Sequence, residues 1–220
     1  MTKTKMKELI NKIICADSLE IMKSMPDNSV DLVLTDPPYW IGIDWQKQSI
    51  NKFNPKANRK AYEFMGWDNK IPSKEYFDEM IRISKNQIIW GWNYFVKHLE
   101  EWHKGWILWD KWQHWLTMSD WELAYTSFDK PLRVFVLNRV HLQKDQPKHP
   151  TQKPKALFNW CIENYSEKGD IILDCFAWSW TTAVSSIELW RKFICIEKEQ
   201  KYCAIAEKRV KSTTPPLFTI

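Results

Sequence analysis

Tight turns need residues that tolerate a positive φ, and this chain has few of the one residue that does so without steric cost. It carries five glycines in 220 residues, beside fifteen tryptophans. Ordinary usage of about 7% glycine would supply roughly fifteen. The tryptophans stand where a turn wants no side chain: in Tyr39-Trp40-Ile41-Gly42, in Trp90-Gly91-Trp92-Asn93-Tyr94 and in Asp174-Cys175-Phe176-Ala177-Trp178-Ser179-Trp180-Thr181-Thr182. Either indoles fill the turns of this fold, or the written letter is not the residue used there.

The remaining pattern is that of a layered α/β protein. Residues 13–15, 30–35, 87–90, 106–109, 122–126, 133–137, 170–174 and 193–197 read as strands, and 18–25, 75–84, 154–165, 181–189 and 200–209 as helices. Strands and helices alternating at this spacing predict a mostly parallel sheet covered on both faces. The length suits one hydrophobic core, so the reading is a single domain over 12–210 with a tail at 211–220. Polar, aperiodic stretches at 44–70 and 138–154 read as long loops, which in compact domains are usually functional or disordered.

Bulk properties narrow the partners. A net charge of +5 permits a polyanion without requiring one. No run approaches the roughly 20 apolar residues of a membrane span. The basic Met1-Thr2-Lys3-Thr4-Lys5 lacks an apolar stretch, so the expectation is a cytoplasmic protein. Five cysteines without a Cys-x-x-Cys pair read as buried free thiols of a reducing compartment. His114, His141 and His149 are too widely spaced for a metal motif, and no metal is expected.

Two loops carry chemistry, because open α/β sheets bind ligands beyond the carboxyl ends of their strands, where strand order reverses. The segment 174–182 leaves a strand and enters a helix, and Glu197 closes the next strand about 20 residues on. That arrangement suits an adenosine-containing cofactor whose ribose hydroxyls donate to the acid; an ordinary connection with a surface Glu197 stays open on this pattern alone. No Gly-Lys-Ser/Thr follows, which excludes a phosphate-binding loop. The second loop is Asp36-Pro37-Pro38-Tyr39. Its prolines stiffen the backbone and remove amide donors. A carboxylate and a proline carbonyl can accept hydrogen bonds from an exocyclic amine, and the tyrosine offers a ring for a base to stack on. Two acceptors around a poorly nucleophilic nitrogen favour the charge that develops as a methyl group arrives.

These two loops resemble, in this order and with His149-Pro150-Thr151-Gln152-Lys153-Pro154 between them, the amino-group DNA methyltransferases of the permuted N4/N6 type. The resemblance runs from Ile13 to Arg209. It implies a Rossmann-like S-adenosylmethionine-dependent fold, with a mostly parallel seven-stranded sheet and helices on both faces. It implies that Asp36 and the Pro37 carbonyl hold the target amine, Pro38 stiffens the loop and Tyr39 stacks on a flipped base. Phe176 would touch the cofactor, Asp17 would lie near its adenine, Thr151 and Lys153 would shape its methionine end, and Glu197 would hold its ribose. Asp174, Ala177, Trp178, Ser179, Trp180, Thr181 and Thr182 would form its loop. The implied partner is double-stranded DNA, bound by a monomer or homodimer. Aspartate at 36 favours adenine N6 over cytosine N4, and RNA remains a possible substrate. DNA contacts are expected from 45–70, 111–119 and 138–148, which mix lysine, asparagine, glutamine and aromatics.

The family has glycine at positions 178 and 180. Sorted by that standard, Trp40, Trp92, Trp178, Trp180 and Trp190 stand at glycine positions, and Trp45, Trp102, Trp112, Trp115 and Trp121 more weakly so. Reading all ten as glycine leaves five tryptophans and brings glycine to fifteen. A UGA codon that means glycine but is translated as tryptophan produces this pattern. If the indoles are genuine, Trp178 and Trp180 crowd the cofactor and Trp40 crowds the catalytic pocket. The expectation is then an inactive nucleic-acid-binding relic of the fold.

Overall fold

A computed structural model describes residues 6–41, 71–98, 104–112, 119–138, 153–178 and 180–213. Its strands are β1 (Lys12–Cys15), β2 (Val30–Thr35), β3 (Ser84–Trp90), β4 (Trp106–Asp110), β5 (Trp121–Thr126), β6 (Arg133–Val136), β7 (Ile171–Asp174) and β8 (Lys192–Glu197). Its helices are α1 (Ser18–Ser24), α2 (Lys74–Ile83), α3 (Trp92–Phe95), α4 (Lys155–Tyr165), α5 (Thr181–Glu188) and α6 (Gln200–Lys211). The strands form one sheet in the order β1-β8-β7-β2-β3-β5-β4-β6, in which β5 alone runs against the others. The sheet has eight strands where the family resemblance implied seven. The addition is β6, which pairs with β4 at the edge.

Alternation along the central strands divides the core into two layers. On one face Leu32 and Leu34 of β2 meet Ile88, Trp90, Ile107 and Ile172, and the layer closes against Leu157, Phe158 and Ile162 of α4. On the other, Val33 meets Ile89, Leu173 and Ile194 under Met22 of α1 and Phe77 and Met80 of α2. Burial of β2 on both sides explains why its sequence, Val-Asp-Leu-Val-Leu-Thr, is almost continuously apolar. Four of the five free cysteines are buried as expected; Cys15 is exposed. Among the described residues no helix is long and apolar enough to cross a membrane.

Beyond shifts of one residue at element ends, the structure departs from the sequence reading in three places. β3 begins at Ser84 rather than 87, because pairing of Val30 with Ser84 and Leu32 with Asn86 extends the ladder through polar residues that carry no strand signal. The single turn α3 was not anticipated; it starts from Gly91 at φ 79°. α6 runs to Lys211, into the expected tail. The expected DNA-contacting stretch 45–70 lies outside the described residues, as do most of 111–119 and 138–148.

Six non-glycine residues take a positive φ among the described residues. Two are asparagines, Asn11 and Asn28, which tolerate that region. The other four are Trp40 (56°), Trp112 (48°), Trp180 (46°) and Trp190 (63°), all among the ten tryptophans that sequence reasoning placed at glycine positions. Trp90, Trp106 and Trp109 lie in strands and Trp160 in a helix; none of these four has a positive φ.

Candidate active site

β2 lies between β3 and β7, so the sheet order reverses direction there and the carboxyl ends of β2 and β7 open on a shared crevice. The loop after β2 begins at Asp36, which is almost wholly buried. Lys153 Nζ donates to Asp36 Oδ2 at 2.7 Å, and the Tyr39 hydroxyl donates to Oδ1. Lys153 Nζ also donates to the Tyr39 hydroxyl at 3.0 Å and lies 2.9 Å from Glu122 Oε2 in an ion pair. Glu122 Oε1 in turn holds Lys111 Nζ at 2.7 Å. Asp36, Lys153, Glu122 and Lys111 thus form a buried chain of alternating charge. Burial would raise the Glu122 carboxyl, but the two lysines outweigh it and hold the group down to about 2. Burial would lower the Lys153 ammonium, yet Asp36 and Glu122 hold it above its ordinary value. Burial raises the Asp36 carboxyl, against the pull of Lys153 and with a push from Glu122. Burial first, and the Asp36 charge second, push the Tyr39 phenol well up, so it serves as a donor.

The ring of Tyr39 stacks on Tyr94 of α3, with centroids 4.8 Å apart. Gly91 makes this seat: a Cβ there would fall 2.1 Å from the Tyr39 ring. The sequence marked this segment as a turn but gave neither residue a place at the site.

The loop after β7 is tied down by Asp174. Its carboxylate accepts from Thr35 Oγ1 (2.7 Å), Thr182 Oγ1 (2.6 Å) and the Phe176 amide (3.1 Å), stitching β2 to β7 and closing its own loop. Burial raises it to about 6. Beside the loop opens a cleft whose walls include Asp17, Pro38, Tyr76, Phe176, Trp178 and Glu197. Glu197, at the end of β8, is pushed up to about 7 by burial, although its Oε1 accepts the Glu199 amide at 2.7 Å. Asp17 caps α1 by accepting from the Leu19 amide (2.9 Å), and Tyr76 donates to it at 2.9 Å. The Tyr76 and Phe176 rings pack at 5.8 Å. Buried carboxylate beside aromatic walls fits a group with ribose hydroxyls and a flat base.

The expected site residues separate into groups. Asp17, Pro38, Phe176, Trp178 and Glu197 share the cleft. Asp174, Ala177, Trp180, Thr181 and Thr182 are buried beneath the loop and do not line it. Lys153, expected beside the cofactor's methionine end, sits against Asp36. Lys111, expected to face DNA, is buried against Glu122. Trp40, expected to crowd the pocket, is 65% exposed. Thr151 and Ser179 lie outside the described residues. Trp178, expected to crowd the cofactor, lines the cleft, and its Nε1 donates to the Asp36 carbonyl at 3.4 Å. Glu122 was missed altogether. Its only signal was an acid at the start of an apolar strand, matched by Lys111 just past the end of another.

A family model described as DNA methylase, for N6 and N4 methyltransferases, matches residues 45–208. A type II methyltransferase of Haemophilus parainfluenzae, M.HpaI, is 28% identical over 91% of this chain and 74% of its own length. The DNA adenine methyltransferase YhdJ of Escherichia coli is 27% identical over 90% of this chain and 82% of its own. Among solved structures, the complex of M1.HpyAVI with SAM aligns with a TM-score of 0.62 at 25% identity, covering 90% of this chain and 98% of that one.

Proposed function

We propose a substrate, a cofactor and a set of working residues for this chain, which belongs to the DNA methylase family. It transfers a methyl group from S-adenosylmethionine to the exocyclic N6 of adenine in double-stranded DNA. The observation that carries the reading is the meeting of two loops at the β2–β7 crevice. Pro38 of the Asp36 loop forms part of the wall of the cleft that holds Phe176 and Glu197. A ligand in that cleft therefore lies directly beside the acceptors at Asp36 and Pro37.

S-adenosylmethionine supplies, when bound, an electrophilic methyl on a sulfonium sulfur. Glu197 accepts from the ribose hydroxyls, and Phe176 and Asp17 bound the adenine side. Asp36 and the Pro37 carbonyl accept from the two amine hydrogens and favour the positive charge growing on nitrogen. Tyr39, clamped between Asp36 and the Tyr94 ring, presents a flat face to a base drawn out of its stack. Bound there, S-adenosylmethionine would supply the methyl and keep the S–C electron pair on its sulfur, while Asp36 and the Pro37 carbonyl hold the amine until its released proton passes to water. None of this needs a metal, and the described residues hold no cluster of metal-binding side chains.

Adenine is favoured by the aspartate at 36 and by the similarity to the DNA adenine methyltransferase of Escherichia coli. Residues 45–70, with 111–119 apart from the buried Lys111, and 138–148, are the proposed DNA-contacting segments, in a cytoplasmic protein acting as monomer or homodimer. Labelled methyl transfer to unmethylated DNA tests the reading, run on the chain as written and on a version with glycine at the ten tryptophan positions. Digestion should yield N6-methyladenine. N4-methylcytosine, or transfer to RNA alone, would overturn the substrate assignment.

A further inference from the structure

We propose that Glu122 and Lys111 are positioning residues that let Lys153 release Asp36 to the incoming amine. The inference rests on the catalytic reading of Asp36. Both oxygens of that carboxylate are engaged, Oδ1 by Tyr39 and Oδ2 by Lys153. An incoming amine competes with these two donors for the lone pairs of the carboxylate, and binds best when one donor gives way. Lys153 is 3% exposed and cannot turn to water. It can shift toward Glu122, already 2.9 Å away. Lys111 keeps Glu122 charged and fixed for that purpose. The transfer conserves charge: the ammonium exchanges one anionic partner for another, and no buried ion is stranded.

The charged and titratable groups around Asp36 come from every neighbouring element: Lys153 before α4, Glu122 of β5, Tyr39 of its own loop, Asp174 of β7, and Lys111 after β4 beyond Glu122. Replacing Glu122 by glutamine removes an anion that pushes Asp36 up, so the acid limb of activity moves to lower pH. The same change holds Lys153 on Asp36, so turnover falls. The experiment is single-turnover methyl transfer to DNA against pH for the full chain, E122Q, E122D and K111Q, in whichever of the written and glycine forms transfers methyl. The expected result for E122Q is a drop of roughly 10²-fold in rate, an acid limb shifted downward, unchanged KM for S-adenosylmethionine and partial rescue in E122D. A smaller acid-limb shift of the opposite sign follows in K111Q, where Glu122 is left less compensated. Equal rates and superimposable pH profiles would overturn the proposal, as would loss of rate without any pH shift in variants that melt like the parent. Absence of transfer by every form, parent included, would instead count against the catalytic reading itself.

A second inference stands on the backbone. We infer that positions 40, 112, 178, 180 and 190 are glycine in the protein its own cells make. Four of the five hold positive φ, and apart from two asparagines no other non-glycine residue among those described does so. Trp180 is buried with its Nε1 unpartnered. Trp178 stands between the cleft and the Asp36 carbonyl, where methyl donor and acceptor have to meet. Glycine removes the strain at four positions and clears the fifth. The test reads the gene's codons and the masses of peptides from the native protein. UGA at all five, UGG at Trp90, Trp106, Trp109 and Trp160, and native peptides containing glycine are expected. UGG at any of the five, or an indole at 178 or 180 in native peptides, would refute it.

Discussion

The two loops that meet at the crevice are built on opposite terms. The loop after β2 contains no glycine through Tyr39, takes its stiffness from two prolines, and has partners for both of its carboxylate oxygens. The loop after β7 has a well-satisfied anchor in Asp174, yet its far end places a tryptophan at φ 46° with a buried, unpartnered indole nitrogen. Through Tyr39 the first loop agrees with its letters, and its conflict begins only at Trp40; the other agrees in fold and disagrees in side chain at its core. Consistency between local preference and global structure is what a natural sequence is selected for. A conflict confined to one residue type therefore points to that residue rather than to the fold.

The contrast can be broken or sharpened by experiment. The largest effect belongs to the first loop. Asp36→Ala should lower the methyl-transfer rate by about 10³-fold while leaving S-adenosylmethionine affinity near the parent value; a matching loss of affinity would show that the two loops are not separable in function. Next comes a control on the tryptophans that fit. Trp109 is 2% exposed and its Nε1 donates to the Leu137 carbonyl at 3.0 Å. Trp109→Ala should cost about 3–5 kcal/mol in chemical denaturation.

On the cofactor side, Glu197→Ala should weaken S-adenosylmethionine binding by about 1.5–3 kcal/mol, measured by calorimetry, with the rate at saturation little changed. Because Glu197 is pushed up to about 7 and its charged form is the better acceptor, affinity should fall as pH drops through 7. A flat profile between pH 6 and 8 would remove Glu197 from the cofactor site. The smallest effect is the sharpest discriminator between the two kinds of tryptophan. Trp112 has φ 48° and is 65% exposed, so Trp112→Gly should stabilise the fold by about 1 kcal/mol. A loss of stability there would mean the indole is paid back by contacts of its own.

Much of this was legible in the sequence because the relevant signals are local. The apolar runs of β2, β7 and β8 and the spacing of Phe77, Met80 and Ile83 on α2 mark their elements directly. Asp36 and Glu197 fall at strand ends for the same reason. What stayed hidden depends on partners distant in sequence. Lys153 reaches Asp36 across 117 positions, and its second anion sits on a strand whose direction no local pattern reveals. Gly91 reads as an ordinary turn until Tyr39 is seen lying against it. Lys111 reads as a DNA-facing lysine until β4 and β5 pair and bury it. Polar β3 residues were passed over because their strand character comes from the ladder with β2, not from their own propensity.

The reversed direction of β5 has one more consequence. Strands running with the sheet deliver their last residues to the crevice, whereas β5 delivers its first, and Glu122 pairs opposite Trp109 near the end of β4. The hairpin joining Lys111 to Glu122 therefore acts as a ruler. A slip of one residue in the β4–β5 pairing would turn Glu122 to the opposite face of the sheet and bring an apolar neighbour, Trp121 or Leu123, to face Lys153. Changes that keep Trp109 paired with Glu122 keep Glu122 facing Lys153, so the hairpin can vary in sequence far more freely than in register.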